Sequence, residues 1–505
     1  MWEKRILQLI LLIVQTCVLT NAQDYDQPYR PRIHFSPRKN WTNDPNGLVY
    51  FRGEYHLFFQ YNPFGDQWGH MSWGHAVSPD LLHWSELPVA IPEEDGIMIF
   101  TGSTVVDRQN SSGFCGAGTE CLVAVYTGDS NSSPGHRETQ NLAYSLDRGR
   151  TWTKYKNNPV LDLQLADFRD PSVFWDSARR RWVMAVSLPK EHKIQFYSST
   201  NLKQWMLLSD FGPAGDVDGD WECPDLIRIP SDNGNNSIWA LKIGLNPGAP
   251  QGGSGEQYFL GSFDGRNFKA SSEAGSQGWT NYGRDDYCAI SFKGLPKGKG
   301  PILLGWMNNW QYAAKLPTSP WRGQMSLPRQ LSFIRDKTGL ALKQEPVVAP
   351  LRGTSFSLPG ASPLTAPYEF EVQFGQTAEA VFGVRLYSDE QHWTEIGFDV
   401  DKKKFYIDRS RSGTAISPEF PGRTEAPLAV GRPHDLRVIV DRPSVEAYAQ
   451  GGTIAMTDLV FPPGDKSSIR VFPEGVKFSG RGWSLRSIWA GGHLRAFPDH
   501  AGDRR

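Results

Sequence analysis

The sequence predicts an all-β protein, with a five-bladed β-propeller followed by a C-terminal β-sandwich. The chain has 50 Gly and 36 Pro among 505 residues, which favours many tight turns between short strands. A turn that closes with an aromatic residue recurs in the first part of the chain, and the last part alternates apolar and polar residues. The chain also exceeds the length at which one core keeps growing, so two domains are expected.

The propeller prediction depends on a turn that begins with Ser, contains Asp or Asn, and ends with an aromatic residue. Three copies and a weaker fourth occur at residues 78–84, 145–152, 199–205 and 262–268. Such recurrence is typical of propeller blades, each turn packing one blade on the next. With the N-terminal strands and the 302–333 region included, it predicts five blades in residues 30–340. A large β-sandwich with unrelated Ser-Asp-Trp turns is the alternative.

The pattern changes between residues 344 and 353, and a second domain is predicted over residues 354–496. There Tyr368, Phe370 and Val372 alternate with polar residues, as half-buried strands of a sandwich do. The expected role of this domain is to support the propeller and cover its apolar surface. A homodimer contact and a polymer contact are the alternatives. Residues 497–505 are predicted to form a polar tail.

The N-terminus has the pattern of a secretory signal peptide. Basic residues precede an apolar run over residues 6–20, and small residues follow where a signal peptidase cleaves. Residues 1–22 are therefore predicted to be removed and the mature protein to be extracellular, an uncleaved anchor being the alternative. The formal charge of -1 argues against nucleic acid or a membrane surface as a partner.

The five cysteines predict one disulfide and no metal site. Cys17 leaves with the signal peptide, and Cys115 and Cys121 flank a Gly-rich loop that a disulfide could close. Cys223 and Cys288 are expected to be buried thiols, because no paired Cys or His spacing supports a metal. Surface loops carry three glycosylation sequons, at Asn110, Asn131 and Asn235.

Three acidic residues on separate segments each lie beside a proline or an aromatic residue, and they predict one convergent pocket. The segments are residues 41–47 (Trp-Thr-Asn-Asp-Pro-Asn-Gly), 168–171 (Phe-Arg-Asp-Pro) and 221–225 (Trp-Glu-Cys-Pro-Asp). Glycoside cleavage needs one carboxyl group to protonate the leaving oxygen and another to attack or to activate water.

Each acid suits a different role in that chemistry. Amide hydrogen bonds are expected to keep Asp44 ionised as a nucleophile, and apolar neighbours are expected to raise the pKa of Glu222 as the acid/base. Asp170, beside Arg169, is expected to stay ionised and to accept hydrogen bonds from sugar hydroxyls. The alternatives are an Asx turn for Asp44, an ion pair with Arg169 for Asp170 and a solvated strand end for Glu222.

These motifs, in this order, resemble glycoside hydrolase family 32, the family of invertases, inulinases and levanases. Further matching segments occur at residues 58–63, 68–75, 100–103, 305–312 and 317–322. The resemblance covers nearly all of residues 32–335, and residues 441–446 resemble the family's sandwich module more loosely.

The resemblance implies a propeller and a sandwich, with Asp44 as nucleophile, Glu222 as acid/base and Asp170 as the carboxylate that grips fructose. It also implies a fructose-binding pocket lined by Asn43, Gln60, Trp68, Phe100, Ser103, Arg169 and Trp310. For several of these residues, packing between blades or a turn is the simpler role. The implied activity is that of a secreted retaining β-fructofuranosidase that releases terminal fructose from inulin, levan and sucrose.

No cofactor or metal is expected for this chemistry. His70 and His75 are five residues apart, whereas metal ligands on a strand favour a spacing of two. A fructosyltransferase with the same carboxylates and a fructan-binding protein without catalysis are the alternative functions. Two positions depart from the family pattern: Thr42 stands where Met is frequent, and Asn281 stands where Asp is frequent. Asn281 is expected to alter hydrogen bonding to the sugar or around the acid/base.

Overall fold

The computed structural model describes residues 25–130, 135–359 and 363–489. The predicted signal peptide (1–22) with Cys17, the sequon at Asn131 and the polar tail (497–505) lie outside the described residues. Within those ranges, every helix is too short to span a lipid bilayer.

Residues 40–346 form five successive sheets of four or five strands. Sheet 1 contains β1 (Asn40–Phe51), β2 (Glu54–Tyr61), β3 (Ser72–Ser78), β4 (Ser85–Ile91) and the distant β20 (Trp321–Arg322). Sheet 2 contains β5 (Met98–Asp107), β6 (Cys121–Asp129), β7 (Glu138–Ser145) and β8 (Thr153–Lys154). Sheet 3 contains β9 (Arg169–Asp176), β10 (Arg181–Leu188), β11 (Lys193–Ser199) and β12 (Met206–Phe211). Sheet 4 contains β13 (Asp220–Pro230), β14 (Ser237–Asn246), β15 (Gly255–Phe263), β16 (Phe268–Ala270) and β17 (Gln277–Trp279). Sheet 5 contains β18 (Tyr287–Ser291), β19 (Ile302–Trp306), β21 (Arg329–Asp336) and β22 (Gly339–Pro346).

The first strands of these sheets form a closed ring. Strands β1, β5, β9, β13 and β18 contact one another in that order, and β18 also contacts β1. Strand β20 then pairs in parallel with β1, with Asn40 opposite Trp321, so a late segment completes the first sheet. The ring places the beginnings of five strands from distant parts of the sequence around one channel.

The repeated turns join the third strand to the fourth in four of the sheets. In each turn, an Asp or Asn side chain accepts a backbone N–H three or four residues further on, at 2.7 to 3.0 Å. Two of the closing aromatics pack on the preceding sheet: Trp152 contacts Phe58 and Phe268 contacts Phe211, both with ring centroids 5.3 Å apart. For these two turns the predicted role of the repeat, packing one blade on the next, is confirmed.

The C-terminal domain consists of two six-stranded sheets. One contains β23 (Arg352–Leu358), β25 (Tyr368–Phe374), β30 (Asp435–Asp441), β31 (Ser444–Ala449), β32 (Ile454–Leu459) and β34 (Phe478–Leu485). The other contains β24 (Leu364–Thr365), β26 (Val381–Tyr387), β27 (Trp393–Asp399), β28 (Lys404–Arg411), β29 (Arg423–Pro427) and β33 (Lys466–Phe472). Short 3₁₀ helices lie at Pro189–Glu191, Ala313–Lys315, Ala349–Leu351 and Gln450–Gly452. Apolar side chains from both sheets form one core, as expected for a sandwich.

Buried polar contacts join the propeller to the sandwich. The ring of His34, which precedes β1, lies between the carboxylates of Asp441 and Glu446 at 2.8 Å from each. A second contact involves Asn281, whose amide donates to the hydroxyl of Thr457 on β32 at 2.8 Å and accepts its N–H at 3.0 Å. The expectation that Asn281 acts on the sugar or the acid/base is wrong, because its side chain binds the sandwich.

Candidate active site

All five channel-lining strands are irregular near the ends where the predicted acids lie. Each of these strands has an extra residue at a shift in its pairing. The shifts lie at Thr42–Pro45 in β1, Ile99–Gly102 in β5, Arg169–Ser172 in β9, Glu222–Asp225 in β13 and Tyr287–Ile290 in β18. A β-bulge breaks the regular alternation and re-aims side chains. The bulges therefore turn polar side chains of several strands toward one mouth of the channel.

Asp44 lies in the bulge of β1 and is partly exposed. The hydroxyl of Thr101, on the neighbouring strand β5, donates to its Oδ2 at 2.8 Å. Its Oδ1 is buried and has no hydrogen-bond partner among the described residues. Burial raises the pKa of Asp44 to about 6, while the hydrogen bond from Thr101 lowers the pKa and the charge of Glu222 raises it. The amide hydrogen bonds that the sequence predicts do not prevent this rise, because burial outweighs them.

We expect Thr101→Val to shift the acidic limb of the pH–kcat/KM profile to higher pH by about one unit, because the ionised form loses a hydrogen bond. The sign follows from Asp44, whose pKa of about 6 is lowered by this contact. Thr104→Val is the matched control: Thr104 is buried on the same strand, and its hydroxyl has no hydrogen-bond partner among the described residues. An unchanged acidic limb in Thr101→Val would show that this hydroxyl does not set the ionisation of Asp44.

Glu222 is bound by two residues from neighbouring strands. The guanidinium of Arg169 donates to Oε1 at 3.1 Å, and the hydroxyl of Tyr287 donates to Oε2 at 2.5 Å. The expectation of apolar surroundings for this carboxylate is wrong. Trp221 is fully buried in the core between sheets 3 and 4, because successive strand residues point to opposite faces.

Asp170 lies on β9 with a φ of 67°, in the left-handed region, and its carboxylate is buried. The N–H of Cys223 donates to its Oδ2 at 2.8 Å. Burial raises the pKa of Asp170 well above its usual range, and the positive charge of Arg169 opposes this only in part. The positive charge of Arg169 favours the ionised form of Asp170, but its guanidinium lies against two other carboxylates, 3.0 Å from Glu138 and 3.1 Å from Glu222. The expectation that Asp170 stays ionised remains a prediction.

Aromatic rings line the rim of the site. Trp68 is 44% exposed and meets Phe100 edge to face, with centroids 6.1 Å apart. Trp310 is half-buried and stacks on Trp41 with centroids 6.0 Å apart. The indole N–H of Trp41 also donates to Oδ1 of the buried Asn43 at 2.7 Å. Predicted sugar-binding residues thus come together from distant parts of the chain at the same mouth as the acids.

Two other residues predicted to line the pocket, Gln60 and Ser103, are buried. The amide of Gln60 is buried and donates to the carbonyl of Ile99 at 3.0 Å, next to the bulge in β5. The buried hydroxyl of Ser103 accepts the N–H of Val173 at 2.9 Å and links β5 to β9. Both side chains hold the channel strands together, and direct contact with a sugar stays a prediction for them.

The four cysteines among the described residues form two disulfides. The predicted bond between Cys115 and Cys121 is confirmed. The expectation of buried thiols at Cys223 and Cys288 is wrong, because these residues form a disulfide between β13 and β18. Both sulfur atoms lie within 4.8 Å of a carboxylate oxygen of Asp44, and their mutual bond occupies the valence that a thiolate ligand would use for a metal.

The two histidines considered for a metal lie in different surroundings. His70 is exposed and pairs with Glu93 at 2.8 Å. His75 is buried, and its Nε2 lies 3.1 Å from Nδ1 of His56 inside sheet 1.

Comparison with known proteins identifies the family. Residues 34–346 match the family described as "Glycosyl hydrolases family 32 N-terminal domain", and residues 342–489 match "Glycosyl hydrolases family 32 C terminal". The chain belongs to glycosyl hydrolase family 32. It is therefore a glycoside hydrolase, and the resemblance inferred from the motifs is confirmed.

Relatives within family 32 match along nearly the whole chain. It is 43% identical to a levanase of Bacillus subtilis, across 92% of this chain and 72% of the levanase. It is 38% identical to an extracellular exo-inulinase of Aspergillus niger, across 92% and 96% of the two chains. The crystal structure of an exo-inulinase from Aspergillus awamori superimposes with a TM-score of 0.86 at 36% identity, across 92% of this chain and 100% of that one. The predicted all-β propeller and sandwich architecture is confirmed.

Three polar residues around the acids of this family 32 chain are not among the predicted site residues. Thr101, bound to Asp44, lies inside the matching segment 100–103, so its position in the sequence was a usable signal. Tyr287 and Glu138 offered no such signal, because their roles depend on which strands become neighbours around the channel.

Proposed function

We propose that this family 32 hydrolase is a secreted, retaining β-fructofuranosidase that releases terminal fructose from fructans and sucrose. The observation that carries the proposal is the convergence of three carboxylates from β1, β9 and β13 at one channel mouth. The charge of Glu222 acts to raise the pKa of both Asp44 and Asp170, although the three residues are far apart in sequence. A pair of carboxyl groups across a sugar ring is what glycoside cleavage requires.

Asp44 attacks the anomeric carbon of the fructosyl unit as its bond to the departing sugar breaks. Glu222 gives its proton to the departing oxygen, which leaves fructose esterified to Asp44. Glu222 then takes a proton from water, which attacks the same carbon, releases fructose and frees Asp44. Two donors support this cycle: Tyr287 and Arg169 each hold one oxygen of Glu222 in place.

Asp170 serves as the carboxylate that accepts hydrogen bonds from fructose hydroxyls, and Arg169 is directed at the acid/base. Trp68 provides an exposed ring at the rim, as aromatic faces do in carbohydrate sites. A pocket that holds one terminal fructose at the channel mouth favours attack at a chain end. The levanase and exo-inulinase relatives support a fructan substrate, and the extracellular relatives support secretion.

Product analysis tests this proposal. We expect sucrose, inulin and levan each to yield free fructose as the first product, and we expect ¹H NMR of the earliest product to show the β-anomer before mutarotation. Retention follows from two successive displacements at one carbon. First formation of the α-anomer, or oligofructans as the dominant product at high sucrose, would contradict a retaining hydrolase.

A further inference from the structure

The strand that carries the acid/base is tied to its neighbour at two successive residues. The hydroxyl of Tyr287 donates to Oε2 of Glu222 at 2.5 Å. At the next position along both strands, Cys223 is covalently bonded to Cys288, with Cα atoms 5.4 Å apart. The two links lie between β13 and β18, which belong to different sheets and contact each other through the channel ring.

Both cysteines have an unfavourable backbone conformation. Each has a φ of 46°, in the left-handed region that non-glycine residues rarely adopt, and each lies in a bulge where regular strand pairing is interrupted. The N–H of Cys223 donates to Asp170 at 2.8 Å, and its carbonyl accepts from the ammonium of Lys242 at 3.2 Å. Residue 223 is therefore fixed through its N–H, its carbonyl and its side chain.

The disulfide also lies at the site itself. Both sulfur atoms are within 4.8 Å of a carboxylate oxygen of Asp44, and both cysteines are almost fully buried. The other disulfide differs in this respect, because Cys115 and Cys121 belong to the core between sheets 2 and 3. One chain thus contains a disulfide beside the acids and a second that serves as an internal comparison.

We propose that the Cys223–Cys288 disulfide is a positioning element that holds Glu222 against the glycosidic oxygen. It acts through the backbone of residue 223, which without the disulfide would keep the left-handed conformation that aims residue 222 at the site only through the hydrogen bonds of its N–H and carbonyl. This inference rests on the proposed role of Glu222 as acid/base. It assigns to Cys288 a role in turnover in addition to stability.

The test measures kcat/KM of the Cys288→Ala variant on two substrates, one with a poor leaving group and one with a good leaving group. Cleavage of sucrose needs a proton from Glu222, whereas β-fructofuranosyl fluoride loses fluoride without such help. We expect kcat/KM for sucrose to fall by about 30- to 100-fold, because displacement of a catalytic group by about 1 Å has costs of this order. The loss on the fluoride should be at least tenfold smaller, because only the general acid is misplaced.

Two further variants control for folding. Cys121→Ala breaks the other disulfide and should leave kcat/KM for both substrates within about twofold. Cys288→Gly adopts the left-handed conformation without strain and should reproduce the leaving-group difference if Cys288→Ala does not fold. Melting temperatures set the assay temperature for each variant below its unfolding transition. Equal losses on both substrates, or no loss, would overturn the proposal.

Glu222→Gln separates this inference from the proposed function. It should lose most sucrose activity while retaining activity on the fluoride. If it keeps normal sucrose activity, the assignment of Glu222 fails. If it shows the leaving-group difference but Cys288→Ala does not, only the positioning role of the disulfide fails.

Discussion

Asp44→Ala is expected to lower kcat on sucrose by about 10⁴- to 10⁶-fold, because Asp44 is the nucleophile of the proposed mechanism and its removal leaves only binding and the acid/base. The folded protein should remain stable, since Asp44 contributes one hydrogen bond, from Thr101, and its charged form is already disfavoured by burial. Steady-state release of fructose gives kcat, and thermal unfolding of the variant checks the fold.

Azide provides a second measurement on the same variant. The alanine leaves space for a small anion, which can attack the anomeric carbon while Glu222 protonates the leaving oxygen. The product would be a fructosyl azide of inverted, α configuration, formed in one displacement. Asp66→Ala is the control, because Asp66 is a partly exposed acid that pairs with Arg322 at 3.0 Å. It should change kcat by less than about fivefold. Activity of Asp44→Ala within tenfold of the wild type would exclude Asp44 as the nucleophile.

Local chemistry made much of the fold predictable. The turn at residues 145–152 is stabilised by its own residues, since the side chain of Asp147 accepts an N–H four residues later. Trp152 then supplies an apolar face next to that turn, and its contact with Phe58 joins two sheets. The period-two alternation of the sandwich is equally local, because it follows from strand geometry.

The environment of the site was not predictable in this way. Trp221, which precedes Glu222 in sequence, points into the core between sheets 3 and 4, so its ring does not surround the carboxylate of Glu222. Its contacts, Arg169 and Tyr287, come from strands that become adjacent only when the ring closes. The Cys223–Cys288 disulfide also depends on closure of the ring, because its cysteines are 65 residues apart in sequence. The raised pKa of Asp44 likewise depends on burial that no single segment encodes.

His34→Ala is expected to reduce the free energy of unfolding by about 3 to 5 kcal/mol, the usual cost of removing one partner of a buried ion pair. The imidazole lies between Asp441 and Glu446 at 2.8 Å from each, and all three side chains are buried between the propeller and the sandwich. Without it, two carboxylates face each other in a buried site. Urea unfolding followed by tryptophan fluorescence measures the change. His70→Ala is the control, because His70 makes the same contact with Glu93 at 2.8 Å on the surface and should cost less than about 1 kcal/mol.

The contribution of His34 should also depend on pH with a definite sign. Burial by itself lowers the pKa of His34, but the hydrogen bonds that its ring donates to Asp441 and Glu446 outweigh burial and raise the pKa from 6.5 to about 9. A raised pKa in the folded state stabilises the protein fully below pH 6.5, and this stabilisation is lost as the pH rises through 9. The two carboxylates have lowered pKa values, so their contribution is lost in acid instead. The stability difference between wild type and His34→Ala should therefore be largest just below pH 6.5 and shrink toward pH 9. A difference that stays constant over this range would show that the imidazole is neutral in the folded protein.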